Sequence, residues 1–153
     1  MTLTKIQECT LVPSRYFDEK DPGCFLFDVS TLNRDVEVNF VRYPEHDAVL
    51  VYSGSRLPEL GSVLGKLASV GDYSKIVASY KGGCLSLAVS DGNKLLFANT
   101  FQAQDFTTAE YYLFGTLKSL QINPEFSTIR FCSRLSEEQK ISLFRYFKSV
   151  EQI

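Results

Sequence analysis

Phosphate chemistry is the first that the residues invite. Gly61-Ser62-Val63-Leu64-Gly65-Lys66 comes close to a phosphate-binding loop, whose backbone amides cradle phosphate while a hydroxyl after the lysine meets the metal. That loop needs four residues between its glycines and Ser or Thr after the lysine. Here Ser62, Val63 and Leu64 are the only residues between them, and Leu67 follows Lys66. Both glycines also sit inside a helical leucine pattern, so close helix packing is the plainer reading. The second candidate is Ser79-Tyr80-Lys81-Gly82-Gly83, where the Lys81 ammonium and the backbone of Gly82 and Gly83 can receive an anion. Asp91, before Gly92, is the carboxylate that would accompany them in a nucleotide site. Hairpin turns explain Gly82-Gly83 and Asp91-Gly92 more simply, because glycine supplies the positive φ such turns require.

Hydrolysis on two metal ions needs several converging carboxylates. The candidates are Asp28, Asp35, Asp47, Asp91 and Glu110, and most fall in turns or helix caps, where solvated acidic side chains are the ordinary expectation. The single histidine, His46, follows Pro44 in a turn and is expected at the surface. It leaves no serine or cysteine nucleophile with a partner and argues against ordinary Cys/His metal chemistry. Cys9, Cys24, Cys84 and Cys132 stand far apart with no C-x-x-C pair, which fits free thiols in a reducing compartment better than a disulfide frame or a zinc site. No catalytic residue, metal site or cofactor is predicted.

A chain of 153 residues with 44% hydrophobic and 13% aromatic residues can bury the core of one ordinary domain. Its net charge of -2 removes the strong basic bias of a protein built around nucleic acid. A local mixture survives near the end, where Arg130, Arg134, Lys140, Arg145 and Lys148 interleave with Phe131, Phe144, Tyr146 and Phe147. Such a set can hold phosphates while rings stack on bases. Glu137, Glu138 and Glu151 dilute it, and a solvated face is the competing reading. No apolar run approaches the ~20 residues of a membrane span, and the opening Met1–Glu8 lacks the apolar block of a signal peptide. A cytoplasmic protein without membrane contact is the expectation.

Periodicity supplies the elements that must position these residues. Residues 6–13 read as a short strand, followed by a helical turn at Ser14–Phe17. Alternation over Val36–Tyr43 predicts a half-buried strand, and the apolar run Ala48–Tyr52 a central one, joined across Pro44–Asp47. Leu57, Leu60, Leu64 and Leu67 predict a helix over 57–69, with Pro58 in its first turn. Ile76–Tyr80, Leu85–Val89 and Leu95–Phe101 predict a meander. Thr107-x-x-Glu110 has the capping-box spacing and opens a helix over 108–120 with Tyr112, Leu113, Leu117 and Leu120 on its main apolar face. Gly115 costs about 1 kcal/mol there relative to alanine, which is tolerable if a neighbouring element approaches closely. Asn123-Pro124 ends that helix. Ile129–Cys132 predicts a strand, and Ser136-x-x-Gln139 caps a last helix carrying Ile141, Phe144 and Phe147 inward. With no repeat, low-complexity segment or linker, one compact unit of residues 1–153 is expected.

Meander, helix, strand and helix from Lys75 onward is the pattern of half an actin-like ATPase, the ribonuclease-H-like unit. Leu95-Leu96-Phe97-Ala98-Asn99-Thr100-Phe101, Tyr111-Tyr112-Leu113 and Leu120-Gln121-Ile122-Asn123-Pro124-Glu125 resemble an uncharacterised family of Bacteroides-type bacteria. Its full-length members are similar to pilus-assembly and cell-division actin homologues and have two such halves. Leu11-Val12-Pro13-Ser14-Arg15-Tyr16-Phe17-Asp18 is similar to the end of that family's first half. The resemblance thus covers nearly the whole chain and the later three-fifths of the family's length. It implies an α/β actin-like fold with a mixed sheet and helices on its faces. Residues 1–70 would then be a remnant of, or link from, the first half, and 71–153 the ribonuclease-H-like second half.

An actin-like ATPase needs an acidic residue and a glycine turn at the first strand of each half. Tyr80-Lys81-Gly82-Gly83 supplies the glycines without the carboxylate. The expected function is therefore a non-catalytic interaction or scaffold protein. Its partner would be another protein or a second copy of itself, met through Tyr111, Tyr112 and Phe114. Nucleic-acid binding through Arg130, Arg134, Arg145 and Lys148 is the alternative. Weak nucleotide binding at Lys81, Gly82, Gly83 and Asp91 is the second.

Overall fold

The computed structural model describes residues 9–22, 37–71 and 73–153. Strands β1 (Cys9–Pro13), β2 (Val38–Tyr43) and β3 (Ala48–Ser53) form an antiparallel sheet in the order β1-β3-β2. β3 takes the centre because Ala48-Val49-Leu50-Val51-Tyr52 is apolar on both faces, and the whole strand is buried. Val12, Val49 and Val51 form a small core against Phe17, Val38 and Phe40. A 3-10 turn, Pro44–His46, joins β2 to β3 and hands the chain to Asp47 at φ 52. Because this turn is tight rather than open, His46 is carried inward to 8% exposure, which corrects the surface position expected for it. The residues before Cys9 that were read into the first strand, and Val36 before β2, lie outside the described residues.

The chain divides into two compact units, Met1–Gly61 and Ser62–Ile153. Helix α1 (Glu59–Ser69) runs across the division, and Leu60, Val63, Leu64 and Leu67 are buried along it. It begins after Pro58 rather than at Leu57, and the Pro58 carbonyl accepts the Gly61 N–H at 2.9 Å in its opening turn.

In the second unit β4 (Ser74–Lys81), β5 (Cys84–Asp91) and β6 (Lys94–Gln102) pair antiparallel as the expected meander. β7 (Thr128–Phe131) lies parallel to β4, and β8 (Ser149–Gln152) parallel to β7, giving the mixed order β6-β5-β4-β7-β8. Parallel neighbours need a crossover. Helix α2 (Phe106–Ser119) leads from β6 toward β7, and α3 (Glu137–Phe144) joins β7 to β8. Ile76, Ala78, Leu85, Leu87 and Val89 form a core with Ala109, Leu113 and Leu117 of α2 and Leu143 of α3.

The ends of these helices depart from expectation in three places. Asp105, not Thr107, is the N-cap of α2, and its carboxylate accepts the Thr108 backbone N–H at 2.8 Å. That hydrogen bond, with a second from the Thr108 hydroxyl at 2.7 Å, holds its carboxyl below the usual range. Glu110 is thereby released from the cap and accepts the Ser142 hydroxyl at 2.9 Å instead. The same helix ends before Asn123-Pro124. The Ile122 N–H reaches the Leu117 carbonyl at 2.9 Å and the Gln121 N–H the Lys118 carbonyl at 3.1 Å, a Schellman closure with Gln121 at φ 59. In α3 the Ser136–Gln139 capping box forms as expected. Ile141 and Phe144, however, are 56% and 54% exposed, and Leu143 and Phe147 point inward. The helix stops at Phe144, and the Phe147 N–H returns to the Leu143 carbonyl at 2.9 Å, so the helical period ends before Phe147.

Candidate functional site

Lys81, Gly82 and Gly83 lie in the turn between β4 and β5. Lys81 pairs with Cys84, and Gly82 and Gly83 have φ 58 and 73, the signs of a type I′ turn. Asp91 closes the other end of β5, opposite Ser74, whose hydroxyl donates to its carboxylate at 3.2 Å. A strand of that length separates the two places by ~23 Å. The structure therefore does not bring Lys81, Gly82, Gly83 and Asp91 together as one nucleotide site.

The loop-like Gly61–Lys66 segment divides likewise. A Cβ at Gly61 would lie 2.6 Å from Leu57 Cδ1 and 3.1 Å from the Tyr43 hydroxyl, whereas at Gly65 nothing among the described residues stands within 4 Å. Close approach accounts for the first glycine and not the second. Gly61 also offers its carbonyl to the Tyr43 hydroxyl at 2.8 Å. Burial foremost, with the neighbouring Tyr52 second, pushes the Tyr43 phenol up to about 12.

Among the carboxylates, Asp28, Asp35 and also the thiol of Cys24 lie outside the described residues. Asp47 is exposed in its turn. Burial raises the Glu110 carboxyl, opposed by the Ser142 hydrogen bond and the Arg145 charge. Cys9, Cys84 and Cys132 are partly buried. No group of three or more His, Cys, Asp or Glu side chains among the described residues is placed to hold a metal ion.

The basic residues do not gather. Arg130 is 12% exposed and pairs with Glu151 at 2.8 Å across β7 and β8. Arg134 follows the far ends of these strands, where the Gln152 amide donates to the Ser133 carbonyl at 3.2 Å. Lys148 precedes β8 at the opposite end, its N–H directed to the Pro124 and Ser127 carbonyls at 3.1 Å. Arg145 is the C-cap of α3, within electrostatic reach of Glu110.

The aromatic residues form the best-defined site. Tyr112 of α2 lies flat on Phe101 of β6, with ring centroids 4.7 Å apart and planes 7° from parallel. Phe97 stacks beside Phe101 at 6.0 Å, and Tyr111 meets Tyr112 edge-on at 5.6 Å. With Gly115 and Lys118 these rings line an open apolar groove of about 660 Å³ between α2 and the sheet edge. Tyr111 stands at its rim, 76% exposed. Phe114 borders the groove, yet its ring packs on Tyr146 at 4.8 Å and Phe147 at 5.6 Å. Tyr111, Tyr112 and Phe114, the three residues of the expected cluster, all line this groove. Among the described residues a Cβ at Gly115 would meet nothing within 4 Å, so no close neighbour accounts for this glycine and open groove stands before it. Phe97 and Phe101 were missed as members of the site. Their signal was the strand alternation that places both on one face.

A family model described as a protein of unknown function, DUF3822, matches residues 62–150. The chain belongs to the DUF3822 family. The matched segment opens within α1 and closes within β8, so in this chain the DUF3822 match takes in β4 to β7, the start of β8, α2, α3 and the groove. A crystal structure of a Bacteroides thetaiotaomicron protein with an actin-like ATPase fold and unknown function matches with a TM-score of 0.75 at 18% identity. That match covers 95% of this chain and 65% of the Bacteroides chain. The DUF3822 chain therefore has the actin-like ATPase fold, as expected, and spans about 65% of the length of that solved relative. No curated protein matches it. Among the described residues no helix is long and apolar enough to cross a membrane.

Proposed function

We propose that this DUF3822 chain is a non-catalytic interaction module that keeps an actin-like fold and binds a protein surface through the groove between α2 and β6. The observation that carries the reading is the groove itself: stacked rings of Phe97, Phe101 and Tyr112, an exposed Tyr111, and a helix glycine with open space before it. Apolar surface of this kind gains free energy when a partner removes it from water. Support also comes from the glycines a phosphate site would use. Gly82 and Gly83 are spent on a hairpin, with Asp91 at the far end of the strand. Cys9, Cys24, Cys84 and Cys132 stand far apart in the sequence with no C-x-x-C pair, which suits a reducing, cytoplasmic setting.

Isothermal titration with Mg-ATP tests the reading. No binding heat is expected. Micromolar binding that disappears in Lys81→Ala would replace the interaction module with a nucleotide-dependent protein.

A further inference from the structure

β6 ends the order β6-β5-β4-β7-β8, and among the described residues its outer edge pairs with no strand. Exposed edges are ordinarily blunted by charge, proline or shortness. This one runs from Lys94 to Gln102, and between those ends Leu95-Leu96-Phe97-Ala98-Asn99-Thr100-Phe101 carries neither charge nor proline. A register shift opposite Val89 and Ser90 leaves Leu96 as the extra residue, so the regular edge is Phe97–Gln102. Within it the Thr100 backbone N–H donates to Asn99 Oδ1 at 2.8 Å. The Ala103 N–H donates to the Gly83 carbonyl at 2.8 Å, and alternation from that hydrogen-bonded pair makes Ser86 and Thr100, whose hydroxyls meet at 3.1 Å, a pair whose backbone groups turn away from each other. Thr100 therefore offers its N–H outward, and the exposed Asn99 side chain covers it.

We propose that a second copy of this chain replaces that cover, its β6 pairing antiparallel with this β6 about a twofold axis at Asn99. Self-complementarity of the segment carries the choice of occupant. With Asn99 facing Asn99, Phe97 faces Phe101 of the second copy and Ala98 faces Thr100, so no like charges meet and both aromatic pairs fall on the groove side. Ala98 and Thr100 then exchange backbone hydrogen bonds in both directions, as outward-facing groups of an antiparallel pair do. Cross-strand aromatic pairs are among the stabilising ones. The two sheets become one, and the aromatic row of each copy extends the groove wall of the other. This rests on the interaction-module reading above and adds a second copy at the strand edge beside the groove.

Light scattering of the full chain from low to about 100 micromolar should show a dimer. Asn99→Lys, which sets like charges directly opposite each other, should shift the dimer dissociation constant at least tenfold upward while the circular dichroism spectrum is unchanged; Asn99→Glu serves if the lysine variant folds poorly. Asn99→Cys should cross-link under mild oxidation, because facing residues of such a pair have the Cα separation a disulfide accepts, whereas the unaltered chain gives the background from its own thiols. A strict monomer overturns the proposal. So does a dimer that survives both charged variants without the Asn99→Cys cross-link, which would place the contact elsewhere. Either result leaves the Mg-ATP test of the interaction module untouched, and nucleotide binding in that test would not alter the cross-linking outcome.

Discussion

Tyr112 and Phe101 are stacked nearly parallel, 4.7 Å between centroids, and this contact fastens α2 to the edge strand of the mixed sheet. Offset aromatic pairs contribute ~0.5–1.5 kcal/mol beyond the area they bury. A double-mutant cycle with Phe101→Leu and Tyr112→Leu, read by urea denaturation, should give a coupling energy of that size. Additive losses would mean that the rings are neighbours without mutual stabilisation.

Gly115 gives a prediction of opposite sign. Among the described residues nothing stands within 4 Å of a Cβ placed there, so Gly115→Ala meets no clash with them and removes the conformational cost of a helix glycine. The variant should be more stable by about 0.5–1 kcal/mol, with an unchanged denaturant slope. A loss of stability would show that some part of the chain closes on this position.

The helix ends supply a pair of tests that share one element each. Gln121 holds the left-handed position that closes α2, at φ 59, where glycine has no steric cost. Gln121→Gly should raise stability by a few tenths to about 1 kcal/mol, the strain relieved exceeding the added freedom of the unfolded chain. Ser136 accepts the Gln139 N–H at 3.2 Å while Gln139 accepts the Ser136 N–H at 2.9 Å. Ser136→Ala should lower stability by about 1 kcal/mol. Thermal midpoints moving in the same direction for both variants would contradict one of the two cap assignments.

Local and periodic features were legible in the sequence. The Ser136–Gln139 box depends on residues three apart, the buried β3 on an unbroken apolar run, and the meander on alternation interrupted by glycine turns. Long-range competition hid the rest. Glu110 has capping-box spacing, but Asp105 outcompetes Thr107 as the cap, and Ser142, distant in sequence, takes the Glu110 carboxylate. β8 has only four residues and becomes a strand because β7 lies beside it. The groove needs Phe97 and Phe101 from one element under Tyr112 of another. Periodicity placed Tyr112 on the apolar face of its helix without showing that Phe97 and Phe101 would meet it.

Tyr43 sets a pH dependence in the first unit. Its hydroxyl donates to the Gly61 carbonyl at 2.8 Å, and burial, reinforced by Tyr52, raises its pKa from the ordinary 10.0 to about 12. A group whose pKa is higher in the folded than in the unfolded chain contributes stability that is fully present below the unfolded value and is lost as pH rises through the folded one. The contribution of the neutral phenol should accordingly be whole below pH 10.0 and vanish toward about pH 12. At pH 7 Tyr43→Phe should cost about 1 kcal/mol, because the Gly61 carbonyl loses its donor. Above pH 10.0 the unaltered chain should lose stability more steeply than Tyr43→Phe, so the gap between them narrows as the phenol ionises. Denaturation curves for the two proteins at half-unit steps through this range provide the measurement, and curves that stay parallel would show that the Tyr43 phenol does not experience the burial on which the shift depends.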